Sequence, residues 1–571
     1  MLRHYKLRHY WGNDMNESVG TCLERRRSEL KQERNTFIAH WRELGDYLAP
    51  RTSKFLTIDK NQGQKANDKI INSTGTTAHR TLKNGMMAGV TSPARPWFRL
   101  TTPDAALMES AAVKQWLFLV ESKMRVIFAR SNFYNTLPPV YGCLGAYGTA
   151  AMAITEDDDT VIRCESFPVG SFCIALDETG RADTFLQEFS MTVRQLVAMF
   201  GMENCSDQVQ QMCKSGKLEQ QIEVIYLVEK NLDRDCCKLD SKNKPYRSVY
   251  WESGKANEKL LRESGYDEFP VMAPRWDVFD NNDVYGYSPG MDSLGDIKQL
   301  QLMERRKAEG IDKIVRPPML ADASLRTERT SILPGDVTYI DNLAAGQHAG
   351  FRPAYEINPR IGELMQEIAK VEARIRHGFF EDLMQMFASS DDPSMTAREV
   401  EERHQEKLLI LGPVLERLNC ELLDPSIDRT FAIMMRKGLL PKPPQELEGQ
   451  DLKVEYISIM AQAQKLIGVA NMQQFFGFVG NLAQLKGPQV LDKVDFDEAI
   501  DAFASMQGIP PTIIVAEDQV QASRAAAAKA EQAAKMQQAM PAIAQGATAA
   551  KTLSETPIGN TTALQRLLGG A

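Results

Sequence analysis

The chain has 571 residues, 43% of them hydrophobic, and sets 67 Lys and Arg against 75 Asp and Glu for a net charge of -8. At about 150 residues per domain this length holds a sizeable core and about three to four domain-sized units. The mild acidity excludes a surface that grips nucleic acid everywhere, which needs a basic domain, but leaves room for a local basic ring.

The 9 Cys are an odd number with no C-x-x-C pair, which implies free thiols in a reducing compartment, not a disulfide framework or a zinc site. No apolar run reaches the roughly 18 residues of a membrane span. The start, "MLRHYKLRHYWGNDMNES", is basic and aromatic but has no signal-peptide core. Its "LRHY" duplication reads either as a basic arm or as a dispensable extension ahead of Met15.

Glu17 to Leu48 predicts a helix, because Leu30, Phe37, Trp41, Leu44 and Leu48 recur at helical spacing and Pro50 stops the run. Ile70 to Val90 predicts a second, in which Gly85 and Gly89 mark either a close backbone approach or a fraying end. "SPARPWFRLTTPD" then leaves the helix with Trp97 and Phe98 as anchors. Ala111 to Arg130 and the region after Leu137 are helical again. From Ala150 to Thr192 the pattern turns to short β runs, "AAMAIT", "VIRCESF", "SFCIAL" and "TFLQEFS", broken by "EDDD" and "DETGRAD". Ile222 to Lys230, Ser248 to Glu252 and Glu268 to Trp276 predict further strands.

The second half is mainly helical, so the fold class is α+β, mainly helical. Ser288-Pro289 caps a helix with Pro at its first position. Leu294, Ile297, Leu300 and Met303 give it an apolar face, and Pro317-Pro318 stop it. A β-rich insert follows, "PGDVTYIDN" to "FRPAYEI". Asn358-Pro359 caps the next helix, whose stripe runs from Ile361 through Ile368 and Val371 to Ile375, with Gly378 marking its end.

"EDLMQMFASSDDPS" then predicts a loop, and Thr396 with Glu399 forms a capping box for a long helix. That helix is charged on nearly every side from Ala397 to Lys407, including Glu399, Glu402, Arg403 and Lys407. It turns apolar at Leu408 to Leu411 and bends at Gly412 and Pro413, because Pro lacks a ladder N–H and its ring clashes with the preceding turn. Asp424-Pro425 caps its continuation, which stops at Gly438 before Pro441. More helices follow Pro444. An Ala/Gln-rich tail after Pro510-Pro511 has helix propensity but needs a neighbour, and no order is expected beyond Pro541.

No G-x-x-x-x-G-K-[ST] loop occurs, which argues against ATP hydrolysis by that route. "GCLGAYGTA" lies in or after a helical stretch and lacks the following Lys. The histidines form no H-E-x-x-H, and His404 sits in "RHQEK", so no metal site is expected. "EDDD" at Glu156 to Asp159 has the residues of a divalent-metal site and the setting of a turn, where Asp is favoured for geometry alone. Two features invite a functional reading. Lys298, Arg305, Arg306, Lys307, Lys313 and Arg316 lie along the first capped helix, with Arg374 and Arg376 on the second. They form either a solvated, salt-bridged face or a lining that meets phosphates. Glu381, Asp382, Met384, Met386, Phe387, Asp391 and Asp392 form an acidic, Met-bearing loop, and long loops between firm helices are often functional.

Four stretches, in order and spacing, resemble the head-to-tail connector, or portal, proteins of short-tailed phages. They are "LKNGMMAGVTSPARPWFRL", "APRWDVFDNNDVYGYSPGMDSLGDIKQLQ", "MTAREVEERHQEKLLILGPVLERLNCELLDPSIDRTFAIMMRKGLLP" and "LKVEYISIMAQAQK", spread from Thr81 to Lys465. The resemblance implies a twelve-fold homo-oligomeric ring around a channel for double-stranded DNA. It implies a wing at 17–287 behind an extension at 1–16, stem helices at 288–316 and 358–380, and a clip between them at 317–357. A tunnel loop at 381–395, a long kinked helix at 396–444 between neighbouring subunits, a crown at 445–515 and a tail at 516–571 complete it. The implied partners are the terminase large subunit, tail adaptor or nozzle proteins, major capsid and scaffolding proteins, and internal core or ejection proteins. The implied place is the portal vertex of the virion, after assembly in the host cytoplasm, without membrane contact, enzymatic activity or cofactor. The competing readings are an oligomeric structural adaptor without DNA contact, and a nuclease or packaging ATPase.

Overall fold

The computed structural model describes residues 18–50, 67–104, 110–317, 360–386 and 411–447, apart from Cys236, Leu239 and Asn281, with shorter stretches elsewhere. The chain forms two compact units. The larger comprises Met1–Arg99, Val120–Pro441 and Val454–Ala463, and the smaller comprises Leu100–Leu119, Lys442–Lys453 and Gln464–Ala571.

In chain order the elements are α1 (Val19–Tyr47), α2 (Thr74–Val90), β1 (Phe98–Thr101), α3 (Ala111–Arg130), α4 (Phe133–Tyr147), β2 (Ala151–Asp157), β3 (Val161–Phe167), β4 (Phe172–Leu176) and β5 (Ala182–Thr192). Then come α5 (Val193–Phe200), α6 (Asp207–Lys214), β6 (Gln221–Lys230), β7 (Tyr246–Glu252), β8 (Leu260–Tyr266), β9 (Val271–Met272), α7 (Pro289–Val315), α8 (Ile361–Gly378) and α9 (Glu381–Met386). The expected α+β, mainly helical class is what the molecule has.

Strands β4 to β8 form one antiparallel sheet in sequence order. Its register pairs Leu186 with Leu227, Leu227 with Val249, and Ile225 with Trp251. Strand residues two apart share a face, so these side chains make one apolar layer, and Leu23 and Leu30 of α1 close over it. The other face carries aromatics: Phe172 stacks on Phe185 at 5.9 Å and Tyr226 on Tyr250 at 4.2 Å. Phe172 and Phe185 are fully buried, and each contributes about 1.5–3 kcal/mol.

A buried carboxylate ties α1 to this sheet. Glu188 on β5 accepts from Arg27 Nε at 2.7 Å and Lys31 Nζ at 2.9 Å. Burial pushes its carboxyl up, but the Lys31 and Arg27 contacts outweigh that and hold it below its ordinary value. A depressed carboxyl stabilises the fold above its unfolded value and loses that contribution as pH falls through the folded one. Glu188→Gln is therefore expected to cost about 2–3 kcal/mol near pH 7, and the gap to wild type should close in acid. Urea denaturation at both pH values measures it, and a gap of equal size in acid would exclude the carboxylate charge as its source.

The second sheet has the order β3-β2-β9. "EDDD" is its β2–β3 turn: the Asp157 carboxylate accepts the Thr160 N–H and hydroxyl, both at 2.8 Å. Glu268 to Trp276, expected as one strand, keeps only Val271–Met272. Pro270 and Pro274 have no N–H to donate, and their carbonyls instead accept from Ile154 and Ala150. Strand β8 and helices α5 and α6 have no counterpart in the sequence reading; "LLRESGY" is polar and contains Gly265, which hides its pairing with β7.

The predicted α1 ends within two residues of its bounds, and the Ser18 hydroxyl accepts the Thr21 N–H. Helix α2 begins at Thr74 instead of Ile70. The Gln301 side-chain oxygen takes the Ile71 and Asn72 N–H groups at 2.6 and 2.8 Å, and the Asn72 carboxamide takes the Thr74 N–H at 2.9 Å. "GCLGAYGTA" is packing and not a phosphate cradle: a Cβ on Gly145 would meet Leu82 at 2.8 Å, and Gly148 ends α4 left-handed at φ 77°.

After Leu411 come α10 (Gly412–Leu418), a π-turn at Asn419–Leu423 and α11 (Asp424–Arg436). Asp424-Pro425 does not cap a new helix. The Asp424 N–H reaches back five residues to the Asn419 carbonyl, and this wider turn takes Pro425 into a continuous helix. Gly438, left-handed at φ 66°, follows its end.

In the smaller unit, residues 520–530 of the Ala/Gln-rich tail are helical. Arg524 there pairs with Asp497 at 2.5 and 2.8 Å. Contrary to the expectation of no order beyond Pro541, Pro557–Ile558 pairs with Thr561–Thr562.

Candidate functional site

Helices α7 and α8 are the pair expected as a stem. Ser288 caps α7 as predicted, its hydroxyl accepting the Met291 N–H at 3.1 Å, with Pro289 first. At 1.5 Å per residue α7 is roughly 40 Å long. Its first half is seated in the larger unit. Leu294, Ile297 and Leu300 are buried, a Cβ on Gly75 of α2 would touch Ile297 at 3.1 Å, and one on Gly378 of α8 would strike Ser293 Oγ at 2.6 Å. Asn72 fastens both helices, donating to Glu304 of α7 at 3.2 Å and Glu372 of α8 at 2.8 Å.

The second half of α7 is bare. Leu302, Ile311, Ile314 and Val315 are between 42% and 71% exposed, and Met365 on α8 is 56% exposed. Ile311, Ile314 and Val315, at i, i+3 and i+4, share one side of the last turns of α7, an open apolar run of the kind a partner surface covers.

The basic residues of the pair divide into two groups. Lys298 is held by Glu43, Arg306 by Glu309 at 3.1 Å and Lys307 by Glu304 at 2.5 Å. Arg374 donates to Asp296 at 2.8 Å, and Arg376 lies 3.8 Å from Glu381. Arg305, Lys313 and Arg316 are exposed on the bare half and have no acidic partner among the described residues. Gln301 is a positioning residue that the sequence reading missed. Its signal was present: a polar residue beside Leu300 on the buried stripe, 5% exposed.

The expected tunnel loop does not begin at Glu381. Glu381–Met386 is α9, a helix, and Met384 is not a surface group: it is 2% exposed, and a Cβ on Gly85 of α2 would strike its sulfur. An apolar side chain facing a Cβ-less groove buries instead of reaching outward. Asp382 is exposed. Phe387, Asp391 and Asp392 lie outside the described residues, as do Glu399, Glu402, Arg403, Lys407, the Thr396 capping box and Asn358-Pro359. Gly412 opens α10 with Pro413 in its first turn, where the missing N–H costs nothing. Of the insert between α7 and α8, the described ends Met319–Leu320 and Arg352–Pro353 pair antiparallel, so the insert leaves and returns at one place.

Among the described residues no helix is long and apolar enough to cross a membrane, and no group of three or more His, Cys, Asp or Glu is placed to hold a metal. The described residues thus form a mixed helix and sheet unit that carries the packed pair α7 and α8 with an insert between them, followed by α9 to α11. The family model for the bacteriophage head to tail connecting protein matches residues 21–515, and the chain belongs to that family. The portal protein of Salmonella phage epsilon15 is 50% identical over 558 residues, 98% of this chain and 99% of that one. The probable portal protein of Bordetella phage BPP-1 is 46% identical over 506 residues, 89% and 90% of the two chains.

Proposed function

We propose that this head-to-tail connecting protein is the portal subunit of a phage: a ring of about twelve copies at one capsid vertex, through which double-stranded DNA passes during packaging and ejection. The observation that carries this is similarity to a portal protein along 98% of the chain. The bare end of α7 supports the ring, since Ile311, Ile314 and Val315 share an open side that a neighbour would cover. The insert between α7 and α8 is the docking clip for the terminase large subunit and then the tail adaptor or nozzle. Capsid, scaffolding and internal core proteins meet the outer surfaces. The ring is passive, and a separate ATPase supplies the work.

The net charge of -8 suits a conduit. Duplex DNA carries about one negative charge per 1.7 Å, and a strongly basic wall would hold it by counterion release. Five of the eight basic residues named on α7 and α8 are already engaged by acids, leaving Arg305, Lys313 and Arg316 as a sparse positive set. The segment after Thr396, which lies outside the described residues, carries Glu399, Glu402, Arg403 and Lys407, charges suited to pairing with neighbours in the ring. The DNA-facing acids are Asp382, Asp391 and Asp392.

Electron microscopy of the purified protein tests the ring. A closed ring, near twelve-fold, with a channel of about 20 Å or more, is expected from the width of a duplex. A compact closed oligomer without a channel would return the adaptor reading. Asp391→Asn with Asp392→Asn is expected to slow DNA passage or change its retention, read as packaged DNA per particle; unchanged packaging would remove these carboxylates from the channel.

A further inference from the structure

Two non-glycine residues among those described have a positive φ, Val161 at the start of β3 and Phe380, at 54°, between α8 and α9. A left-handed residue is expected just past a helix, but the sequence offered Gly378 for it. Gly378 is instead the last residue of α8, where its missing side chain admits Ser293. The left-handed turn falls two residues later, on a bulky aromatic that disfavours it by about 1–2 kcal/mol. Such a conformation persists only where its surroundings over-determine it.

They do so here from both sides. The Phe380 N–H donates to the His377 carbonyl at 2.9 Å, closing α8, and its own carbonyl accepts the Met384 N–H at 3.0 Å, opening α9. Its ring lies on Trp276, centroids 6.2 Å apart and planes 30° off parallel. Phe379 beside it is fully buried and meets His79 edge-on at 6.2 Å. Met384 fills the groove at Gly85, and Arg376 faces Glu381 across the corner.

We propose that Phe380 is a positioning residue. Its left-handed backbone and its ring on Trp276 lock the α8–α9 corner and so fix the direction in which the chain leaves the stem towards the tunnel loop. The corner stands on geometry alone; its consequence for DNA rests on the portal reading.

The test uses the full chain with Phe380→Gly, which relieves the backbone but removes the ring, and Trp276→Leu, which removes the ring's partner only. Amide hydrogen exchange is followed in residues 379–386, with β5 to β7 as the internal measure of folding. Exchange about tenfold faster at the corner in both variants, with the sheet unchanged, is the expected result. Packaged DNA per particle should fall with it. Unaltered corner exchange in both variants overturns the proposal whatever the protein's function. Faster exchange with normal packaging overturns the corner's role in DNA passage and leaves the portal reading intact. That reading fails separately, if the wild type forms no channelled ring.

Discussion

Arg275→Ala is expected to lower the unfolding free energy of the larger unit by about 3–5 kcal/mol, the cost of leaving a buried charge without its partner. Arg275 follows β9 and is 4% exposed. Its guanidinium reaches three other segments: the Glu421 carboxylate in the π-turn at 2.6 Å, the Gly180 carbonyl of the β4–β5 turn at 2.7 Å, and the Asp283 carbonyl before α7 at 2.7 Å. Its backbone N–H also donates to Glu421, at 2.8 Å. The π-turn and this clamp belong together, since a π-turn shifts the face that a helical side chain presents. Glu421→Gln keeps the shape and should cost less than Glu421→Ala, because an amide oxygen still accepts. Thermal unfolding followed by circular dichroism should show Arg275→Ala lower by roughly 3–6 °C. A loss under about 1 kcal/mol would mean that the guanidinium is solvated and not clamped.

Gly148→Ala and Gly286→Ala should each destabilise by about 4 kcal/mol or more, enough to cut the yield of folded protein. The two backbones cross without side chains between them. A Cβ on Gly148 would strike the Gly286 carbonyl, and one on Gly286 would strike the Gly148 carbonyl and lie 2.9 Å from Arg275 Cβ. Backbone cannot rotate away as a side chain can, so the clash moves the α4 end or the lead into α7. Gly148 adds the strain of φ 77°. Gly254, left-handed but with nothing near its Cβ position, is the control and should lose only the left-handed penalty of about 1–2 kcal/mol. Equal losses at Gly148 and Gly254 would show that conformation alone, not the crossing, sets the cost.

Much of this molecule is legible in its sequence because local signals carry local structure. Ser288-Pro289 and the stripe through Leu294, Ile297 and Leu300 announce α7 and its buried face. The alternation in "VIRCESF" and "TFLQEFS" announces β3 and β5. The order of four family-like stretches announces the connector, and the family match over residues 21–515 bears it out. These signals survive because capping, period and turn chemistry depend on neighbours within a few residues.

The tertiary structure decided the rest. Arg275 meets Glu421 across 146 residues and Gly180 across 95, and nothing near any of them specifies the others. Glu381–Met386 reads as loop because it is short, polar and followed by Ser and Pro, yet Met384 finds the groove that Gly85 leaves in α2, and that contact makes it a helix. The left-handed turn fell on Phe380 and not on Gly378 because α7 needed the glycine for its own approach and Trp276 held the ring. Composition and period determined which segments form and which family they build. Which side chain occupies which groove was set by close packing between distant segments, where one missing Cβ outweighs local preference.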